Sequence, residues 1–238
     1  MTSGQFSFGA VLVAGGSGSR LGAQQPKQFL PLNGYRLYIW SISKLYKNEL
    51  IDKIVLTAPA SYVEEIRREL ARLMPGKIIV IAGGATRQES VYKGLEKLVE
   101  LGKPDYVLIH DAARPFVSSK IIDDAIETVT TRGACTVATP VADTLKEVEL
   151  DKICQTINRE KIFAVQTPQA APFDLLWQCH QEAAAKQIGV TDDAAILEHF
   201  GHPVVIFPGS NTNIKVTVLD DLRACELLAP LYLADTPL

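Results

Sequence analysis

The sequence has no long hydrophobic run, no paired-cysteine motif and no excess of basic residues, and each absence removes a class of protein. Its apolar runs fall far short of the roughly 18 residues that suggest a membrane helix, and the opening MTSGQFSFG lacks the basic segment of a secretory signal. The four cysteines form no CxxC pair, which argues against structural zinc and fits a reducing compartment. A net charge of −3 provides no basic stripe for nucleic acid. We therefore expect a cytoplasmic protein with neither a nucleic-acid nor a membrane partner.

Two common nucleotide-binding motifs are also missing from the glycine-rich stretch AGGSGSRLG. The dinucleotide motif GxGxxG fails because Leu21 stands at the third glycine position. The phosphate-binding motif GxxxxGK[ST] fails because Arg20 or Leu21 stands where its second glycine is required. What is present is a glycine-rich turn whose backbone can approach a ligand closely and whose N–H groups can hold phosphate oxygens. A tight turn without a ligand is the alternative.

Two cations beside this turn favour the phosphate interpretation. Arg20 and Lys27 follow the glycines, and Pro26 restricts the backbone just before Lys27. Phosphoryl and nucleotidyl transfer require a protein mainly to position groups and to neutralise developing charge. Cations next to a phosphate-binding turn therefore have a specific use.

Short β-rich runs alternate with longer segments of helical period, which predicts an α/β fold: one Rossmann-like, mostly parallel sheet with helices on both faces. No linker or repeat interrupts the chain, so residues 1–238 are predicted to form a single domain. The predicted strands are Gly9–Ala14, Lys53–Ala58, Lys77–Ala82, Tyr106–His110, Thr136–Val141 and Val204–Pro208. The predicted helices are Leu37–Tyr46, Tyr62–Leu73, Gln88–Leu101 and Ser119–Thr130.

Residues 141–169 interrupt this alternation. They read as two polar β segments around a turn near Glu149–Lys152, with too little apolar surface for the centre of a sheet. We predict a protruding β-arm inserted in the domain. Because a lone hairpin is marginally stable and an unpaired edge invites association, we expect the arm to pack against a second copy in a homodimer. A simple surface hairpin is the alternative.

Seven motifs carry a family resemblance. They are AGGSGSRLGAQQPKQFLPL, GGATRQESV, HDAARPFV, ADTLK, TPQ, VTDDA and NIKVT, in that order. Over nearly its whole length the chain resembles the 2-C-methyl-D-erythritol 4-phosphate cytidylyltransferases of the non-mevalonate isoprenoid pathway. Ribitol-5-phosphate cytidylyltransferases share the first loop and the arm, so ribitol 5-phosphate is the alternative acceptor.

The resemblance implies that CTP and a polyol phosphate react to give a CDP-polyol and pyrophosphate. It implies Mg²⁺ bound mainly through the CTP phosphates, and this ion commonly keeps its waters and takes few protein ligands. The catalytic residues implied are Arg20, Lys27, Arg159 and Lys215. The nucleotide-binding residues implied are Ala14, Gly15, Gly16, Ser17, Gly18, Gly83, Gly84, Arg87, Ser90 and Asp111. Ala85 stands where some members carry Asp, which leaves backbone contacts to read the cytosine.

The resemblance also implies an acceptor site shared between two subunits. Its residues are Asp111, Arg114, Thr144, Arg159, Thr191 and Lys215, with Thr144 and Arg159 supplied by the arm of the opposite subunit. Two of these have alternatives: for Arg114 the alternative is pairing with a carboxylate only, and for Arg159 it is pairing with Glu147 or Glu160 on the arm surface.

Several other polar residues have a structural explanation. His110 is predicted to be a partly buried structural residue, because an ionised phosphate nucleophile needs no base. His180, His199 and His202 lie in helical or turn contexts and are predicted to be structural as well. Thr86 and Glu89 have the spacing of a helix capping box.

Two other classes of function are disfavoured. A non-catalytic nucleotide-binding module should have lost Arg20, Lys27 or Lys215, and a nicotinamide reductase needs the missing third glycine.

Overall fold

The computed structural model describes residues 6–15 and 26–235, and it is built on one seven-stranded sheet. Six strands run in the same direction and one runs against them, in the order β11-β7-β10-β6-β1-β4-β5. These strands are β1 (Phe8–Val13), β4 (Ile51–Ala58), β5 (Ile78–Ala82), β6 (Tyr106–Asp111), β7 (Cys135–Pro140), β10 (Phe163–Pro172) and β11 (Val205–Pro208). All six predicted strands are present, within two residues at either end, and the predicted mostly parallel sheet is confirmed.

Helices cover both faces of the sheet. They are α1 (Leu37–Lys47), α2 (Val63–Leu73), α3 (Arg87–Glu100), α4 (Ser119–Arg132), α5 (Phe173–Lys186), α6 (Asp193–His199) and α7 (Leu219–Leu228). The first four match the predicted helices, and the last three were not predicted. Short 3-10 turns occupy Lys27–Phe29, Ala60–Tyr62 and Ala229–Asp235. None of the described helices combines the length and the apolar character that crossing a bilayer requires.

The alternating side chains of β1 explain why helices are needed on both sides. Ala10 and Leu12 belong to one buried cluster, which contains the apolar faces of α1, α2 and α4. Val11 and Val13 belong to a second, with α3, α5 and α6. Successive side chains of a strand point to opposite faces, so a strand buried on both reads as a continuous apolar run. The sequence FGAVLV of β1 is such a run.

A third apolar cluster holds the C-terminal segment against the domain. A small hairpin of β2 (Pro31–Leu32) and β3 (Tyr35–Arg36) lies next to it, and α7 contributes Leu222 and Cys225. Val216 is fully buried in this cluster with Trp40. The cluster therefore fixes the loop before α7, which carries Lys215.

The predicted limits of the arm, 141–169, are wrong at the C-terminal end. Residues 163–172 form β10, which is antiparallel to both β6 and β7 and lies between them. Gln166, Thr167 and Gln169 are buried there, and each has a polar partner inside the domain. A buried strand with paired polar side chains has the composition of a surface strand, which is why the polar pattern was misleading.

The protruding hairpin itself is shorter. It consists of β8 (Leu145–Glu149) and β9 (Lys152–Ile157), with Leu150 and Asp151 at positive φ in the turn between them. This turn lies where the sequence predicted it. The hairpin leaves the sheet after the end of β7 and returns at the start of β10, so it projects from the edge where the parallel strands end.

Candidate functional site

A cavity of about 340 Å³ opens at the carboxyl ends of β1 and β6. In an open α/β sheet, ligands bind at this edge because the loops that follow parallel strands meet there. The described residues that line it are Val13, Gly15, Lys27, Gln28, Ala85, Thr86, Arg87, Asp111, Ala113 and Lys215. They include three cations and one carboxylate, so the lining is suited to a polyanionic ligand.

The carboxylate, Asp111, lies between two of the cations. Its Oδ1 accepts a hydrogen bond from Nε of Arg87 at 3.0 Å, and its Oδ2 lies 2.6 Å from Nζ of Lys215. Burial alone would raise the pKa of Asp111, but Arg87 and Lys215 hold that pKa well below its usual range. Asp111 is therefore ionised at neutral pH, and the two cations are held on opposite sides of it.

Lys27 approaches the same cavity from the 3-10 turn that begins after Pro26. Its Nζ donates a hydrogen bond to the carbonyl of Val216 at 2.7 Å, and the N–H of Val216 donates to the carbonyl of Ala113 at 2.8 Å. These bonds join three loops, so Lys27 and Lys215 are brought to one site although 188 positions separate them in the printed sequence.

The loop Gly83–Ser90 is held in place by short-range contacts. The hydroxyl of Ser90 accepts a hydrogen bond from the N–H of Gly84 at 3.0 Å and donates to the carbonyl of Thr86 at 2.8 Å. A Cβ on Gly84 would lie 2.2 Å from Cβ of Glu89, so only glycine fits there. Thr86 caps α3 as predicted, but Glu89 accepts from the N–H of Ala85 instead of closing the capping box.

The first glycine-rich loop is described only at its start. Ala14 continues the ladder of β1 by donating to the carbonyl of Thr57 at 2.8 Å, and its own carbonyl accepts from the side chain of Gln28. Gly15 lines the cavity, and a Cβ there would lie 3.1 Å from Oγ of Ser90. Four residues predicted for this loop, Gly16, Ser17, Gly18 and Arg20, lie outside the described residues.

Arg114 is buried, and its guanidinium donates hydrogen bonds to main-chain carbonyls of other described residues. Its Nη1 donates to the carbonyl of Asn213 at 2.7 Å, and Nη2 lies 3.5 Å from the carbonyl of Val165. Asn213 in turn donates to the carbonyl of Thr167. Within the described chain Arg114 forms no ion pair with a carboxylate, so it ties the loop before α7 to β10. Its contact with an acceptor stays a prediction.

The remaining predicted acceptor residues are not among the described residues that line this cavity. Thr144 and Arg159 are exposed at the base of the hairpin, and Thr191 is exposed just before α6. Glu147 and Glu160 accept hydrogen bonds from neighbouring amide side chains, and among the described ion pairs neither is joined to Arg159. The exposed Arg159 side chain is therefore accessible to a ligand that is bound to another chain.

Several residues that support the site were not predicted. Thr167 accepts a hydrogen bond from the N–H of Asp111 at 3.1 Å, and Gln169 accepts from the N–H of Asp193 at 2.8 Å. Asp193 is buried and binds Nη1 of Arg87 at 2.8 Å. The motifs TPQ and VTDDA drew attention to these positions, but only the folded chain reveals their partners.

His110 was predicted to be partly buried, but it is a core residue and is not among the described residues that line the cavity. It is completely buried, and its Nδ1 lies 2.8 Å from Oγ1 of Thr167. Burial lowers the pKa of His110 to about 4, because a charged imidazole loses its hydration there. His110 is therefore neutral at physiological pH and carries no charge into the site.

The lowered pKa of His110 makes stability depend on pH. Because the folded chain binds this proton less readily than the unfolded chain, the stabilisation is complete above the ordinary pKa near 6.5 and is lost as the pH falls toward 4. Between pH 7 and pH 5 we expect a loss of about 2 kcal/mol in the free energy of unfolding from this group. Urea unfolding at both pH values measures it. His110→Asn should remove that part of the slope; an unchanged slope would contradict the assignment.

The described residues contain no group of three or more metal-binding side chains. Asp111 is the single carboxylate among the described lining residues, and both its oxygens already have cationic partners. This donor set cannot enclose a divalent ion by itself. It fits an ion that arrives with the ligand and keeps most of its waters.

Comparisons with known proteins agree with this arrangement. Residues 8–230 match the model of a family described as 2-C-methyl-D-erythritol 4-phosphate cytidylyltransferase. An enzyme of that name from Clostridium beijerinckii is 41% identical over 219 residues, which cover 91% of this chain and 96% of the relative. Another from Bacillus velezensis is 40% identical over 220 residues, covering 92% and 94%.

Solved structures give the same picture. The 4-diphosphocytidyl-2C-methyl-D-erythritol synthase from Anaerococcus prevotii is similar with a TM-score of 0.82 and 27% identity, covering 95% of this chain and 99% of its own. The 2-C-methyl-D-erythritol 4-phosphate cytidylyltransferase of Thermus thermophilus has a TM-score of 0.75 and 30% identity, covering 92% and 98%. Over nearly the whole length of this chain, these proteins have the same fold with its mostly parallel sheet.

Proposed function

This chain belongs to the 2-C-methyl-D-erythritol 4-phosphate cytidylyltransferase family, and from that premise we propose how its residues join CTP to 2-C-methyl-D-erythritol 4-phosphate. The chain is an enzyme, a cytidylyltransferase, and its products are 4-diphosphocytidyl-2-C-methyl-D-erythritol and pyrophosphate. Ribitol 5-phosphate is not favoured as the acceptor, because the family and the relatives carry the methylerythritol name.

The observation that carries the mechanism is the charge of the cavity, where Lys27 lines the same space as Asp111 and its two cationic partners, Arg87 and Lys215. A triphosphate placed there has its negative charge offset. An oxygen of the acceptor phosphate attacks the α-phosphorus in line, and the bond to the leaving pyrophosphate breaks. Lys27, together with Arg20 from the glycine-rich loop, stabilises the charge that gathers on the five-coordinate phosphorus.

The acceptor is oriented from the other side of the cavity. Lys215 donates toward the polyol or its phosphate, and Asp111 accepts from a hydroxyl, as their shared contact at 2.6 Å keeps both near the reacting centre. The phosphate nucleophile is already ionised at neutral pH, so no histidine has to remove a proton. The neutral, buried His110 is consistent with this.

Cytosine is read by the backbone of the Gly83–Ser90 loop. The N–H and carbonyl groups of this loop are fixed by Ser90 and by the cap of α3, so they form a rigid edge against which a base can be matched. Ala85 offers no polar side chain, which leaves selection of the base to these main-chain groups.

We propose Mg²⁺ as the metal: it would arrive with the triphosphate, and Asp111, the carboxylate among the described lining residues, would be the protein group that faces it. The ion, when bound, neutralises part of the triphosphate charge and keeps its oxygens in a fixed arrangement. The ionised state of Asp111 and the lack of an enclosing carboxylate cluster among the described residues support this way of binding.

A homodimer is proposed through the hairpin arm. Val148, Leu150 and Ile153 are exposed on β8, β9 and the turn between them, with Leu150 90% exposed. Phe163 and Val165 at the start of β10 are also exposed. Exposed apolar side chains on an unpaired hairpin favour association. The four cysteines are all unpaired, which supports a reducing, cytoplasmic location.

Pyrophosphate release tests the proposed function. With Mg²⁺, CTP and 2-C-methyl-D-erythritol 4-phosphate we expect steady turnover, and with UTP or ATP a rate at least about tenfold lower, because the fixed main-chain groups cannot match both sets of base edges. Ribitol 5-phosphate in place of the natural acceptor serves as the control. Equal rates with CTP and UTP would contradict the role of the Gly83–Ser90 loop, and equal rates with both acceptors would contradict the acceptor assignment.

A further inference from the structure

Asp193 is a buried carboxylate that the mechanism above does not use. It is the first residue of α6 and is 3% exposed. Its Oδ2 accepts from Nη1 of Arg87 at 2.8 Å, and its Oδ1 lies 3.0 Å from Nε2 of His180. Its own N–H donates to Oε1 of Gln169 at 2.8 Å. His180 of α5 therefore fixes the carboxylate and Gln169 of β10 fixes the main chain of Asp193, which is not among the described residues that line the cavity.

Arg87 connects this carboxylate to the reacting groups. While Nη1 is bound to Asp193, its Nε is bound to Oδ1 of Asp111 at 3.0 Å, and Oδ2 of Asp111 lies 2.6 Å from Lys215. The four charges alternate in sign along this line. The pKa of Arg87 is raised by both carboxylates in spite of its burial. A planar guanidinium held by a carboxylate at each end has one orientation available.

Resting on the proposed function, we propose that Asp193 is a positioning residue for the transfer reaction: it fixes the guanidinium of Arg87 and through it sets where Asp111 and Lys215 meet the acceptor. His180 supports Asp193 from behind, where its ring is almost completely buried. Without the Asp193 charge, Arg87 keeps one carboxylate and can turn with it. Asp111 then moves relative to Lys215, and small displacements of positioned groups are costly in rate.

The adjacent Asp192 provides a matched control. Its Oδ1 caps α6 by accepting from the N–H of Ala195 at 2.9 Å, and its Oδ2 accepts from the amide of Gln169. Neither of these hydrogen bonds involves Arg87. Asp192→Asn and Asp193→Asn therefore make the same chemical change one residue apart. Only Asp193→Asn removes a charge from the alternating series that ends at Lys215.

We expect Asp193→Asn to lower kcat at least about tenfold while the KM for CTP changes by less than about threefold, because main-chain groups bind the base. Asp192→Asn should keep kcat within about threefold of the wild type. His180→Ala, which leaves the Arg87 contact in place, should lower kcat by a smaller factor, about threefold to tenfold. Circular dichroism and thermal unfolding of each purified variant confirm that the comparison is between folded proteins.

A double-mutant cycle separates positioning from a general structural role. If Asp193 acts through Arg87, then adding Asp193→Asn to an Arg87→Met enzyme should lower kcat by less than about a further twofold. Losses that multiply, or equal losses for Asp192→Asn and Asp193→Asn, would overturn the proposal. An inactive wild type with CTP and 2-C-methyl-D-erythritol 4-phosphate would instead contradict the proposed function. If Asp193→Asn does not fold, His180→Ala replaces it in the cycle with Arg87→Met and decides between positioning and a general structural role.

Discussion

Replacing Lys27 with alanine is expected to lower kcat at least about 100-fold and to leave the protein folded. Lys27 lines the cavity and its Nζ is held 2.7 Å from the carbonyl of Val216, so the cation is kept beside the ligand instead of moving freely in solvent. The charge that gathers on the phosphorus in the transition state would lose one of its stabilising partners. Steady-state pyrophosphate release at saturating CTP measures the loss.

Lys120→Ala is the control for this prediction. Lys120 lies on α4 in an exposed ion pair with Asp124 and is not among the residues that line the cavity. Its removal should leave turnover unchanged, because exposed ion pairs contribute little. Arg20→Ala is expected to resemble Lys27→Ala, as the family resemblance implies. Near-normal turnover of the Lys27 variant at saturating CTP would show that the transition state is stabilised by other groups.

Mixing two inactive variants should restore activity if the arm completes the site of a second subunit. In a heterodimer of Lys27→Ala and Arg159→Ala chains, one of the two sites has both native residues. Random exchange makes half of the dimers heterodimers, so we expect recovery of about a quarter of wild-type activity. The physical reason is that Arg159 is exposed at the base of the hairpin and is not among the described residues that line its own chain's cavity.

The matched control mixes Lys27→Ala with Lys215→Ala. Both lysines line the same cavity of one chain, so every site of that heterodimer lacks one of them and no activity should return. Native mass spectrometry of differently tagged chains establishes that exchange has taken place. If the Arg159 mixture stays as inactive as its parents after exchange, each site is built from one chain and the arm serves association alone.

Much of the sheet could be predicted because its signals are local. The apolar run of β1 and the helical period of α2, with Ile66 and Leu70 buried, depend only on neighbouring residues. The same holds for the cap at Thr86, where both partners lie within one turn. Lys27, Arg87 and Lys215 line one cavity, but the family resemblance of separate motifs selected them, and no sequence pattern joins them.

The parts that escaped prediction depend on contacts between distant segments. Gln166 and Gln169 appear in the sequence as surface residues, and only the neighbouring strand β7 and the loop before α7 make them interior ones. The pairing of Arg87 with Asp193 spans 106 positions, and nothing in either motif indicates its partner. Hydrogen bonds between buried polar groups leave no periodicity, so sequence patterns carry little information about them.

The insertion of β10 between β6 and β7 also determines the order in which the sheet can be completed during synthesis. β7 is made before β10, yet it has no hydrogen-bonded neighbour on that side until residues 163–172 arrive. A nascent chain that ends within the hairpin has β6 and β7 as two open strand edges, separated by a gap one strand wide. Open edges are the places where unfinished chains pair wrongly. Residues 141–162, which include the hairpin, stand between β7 and β10 in the chain, so all of them must be made before the central gap can close.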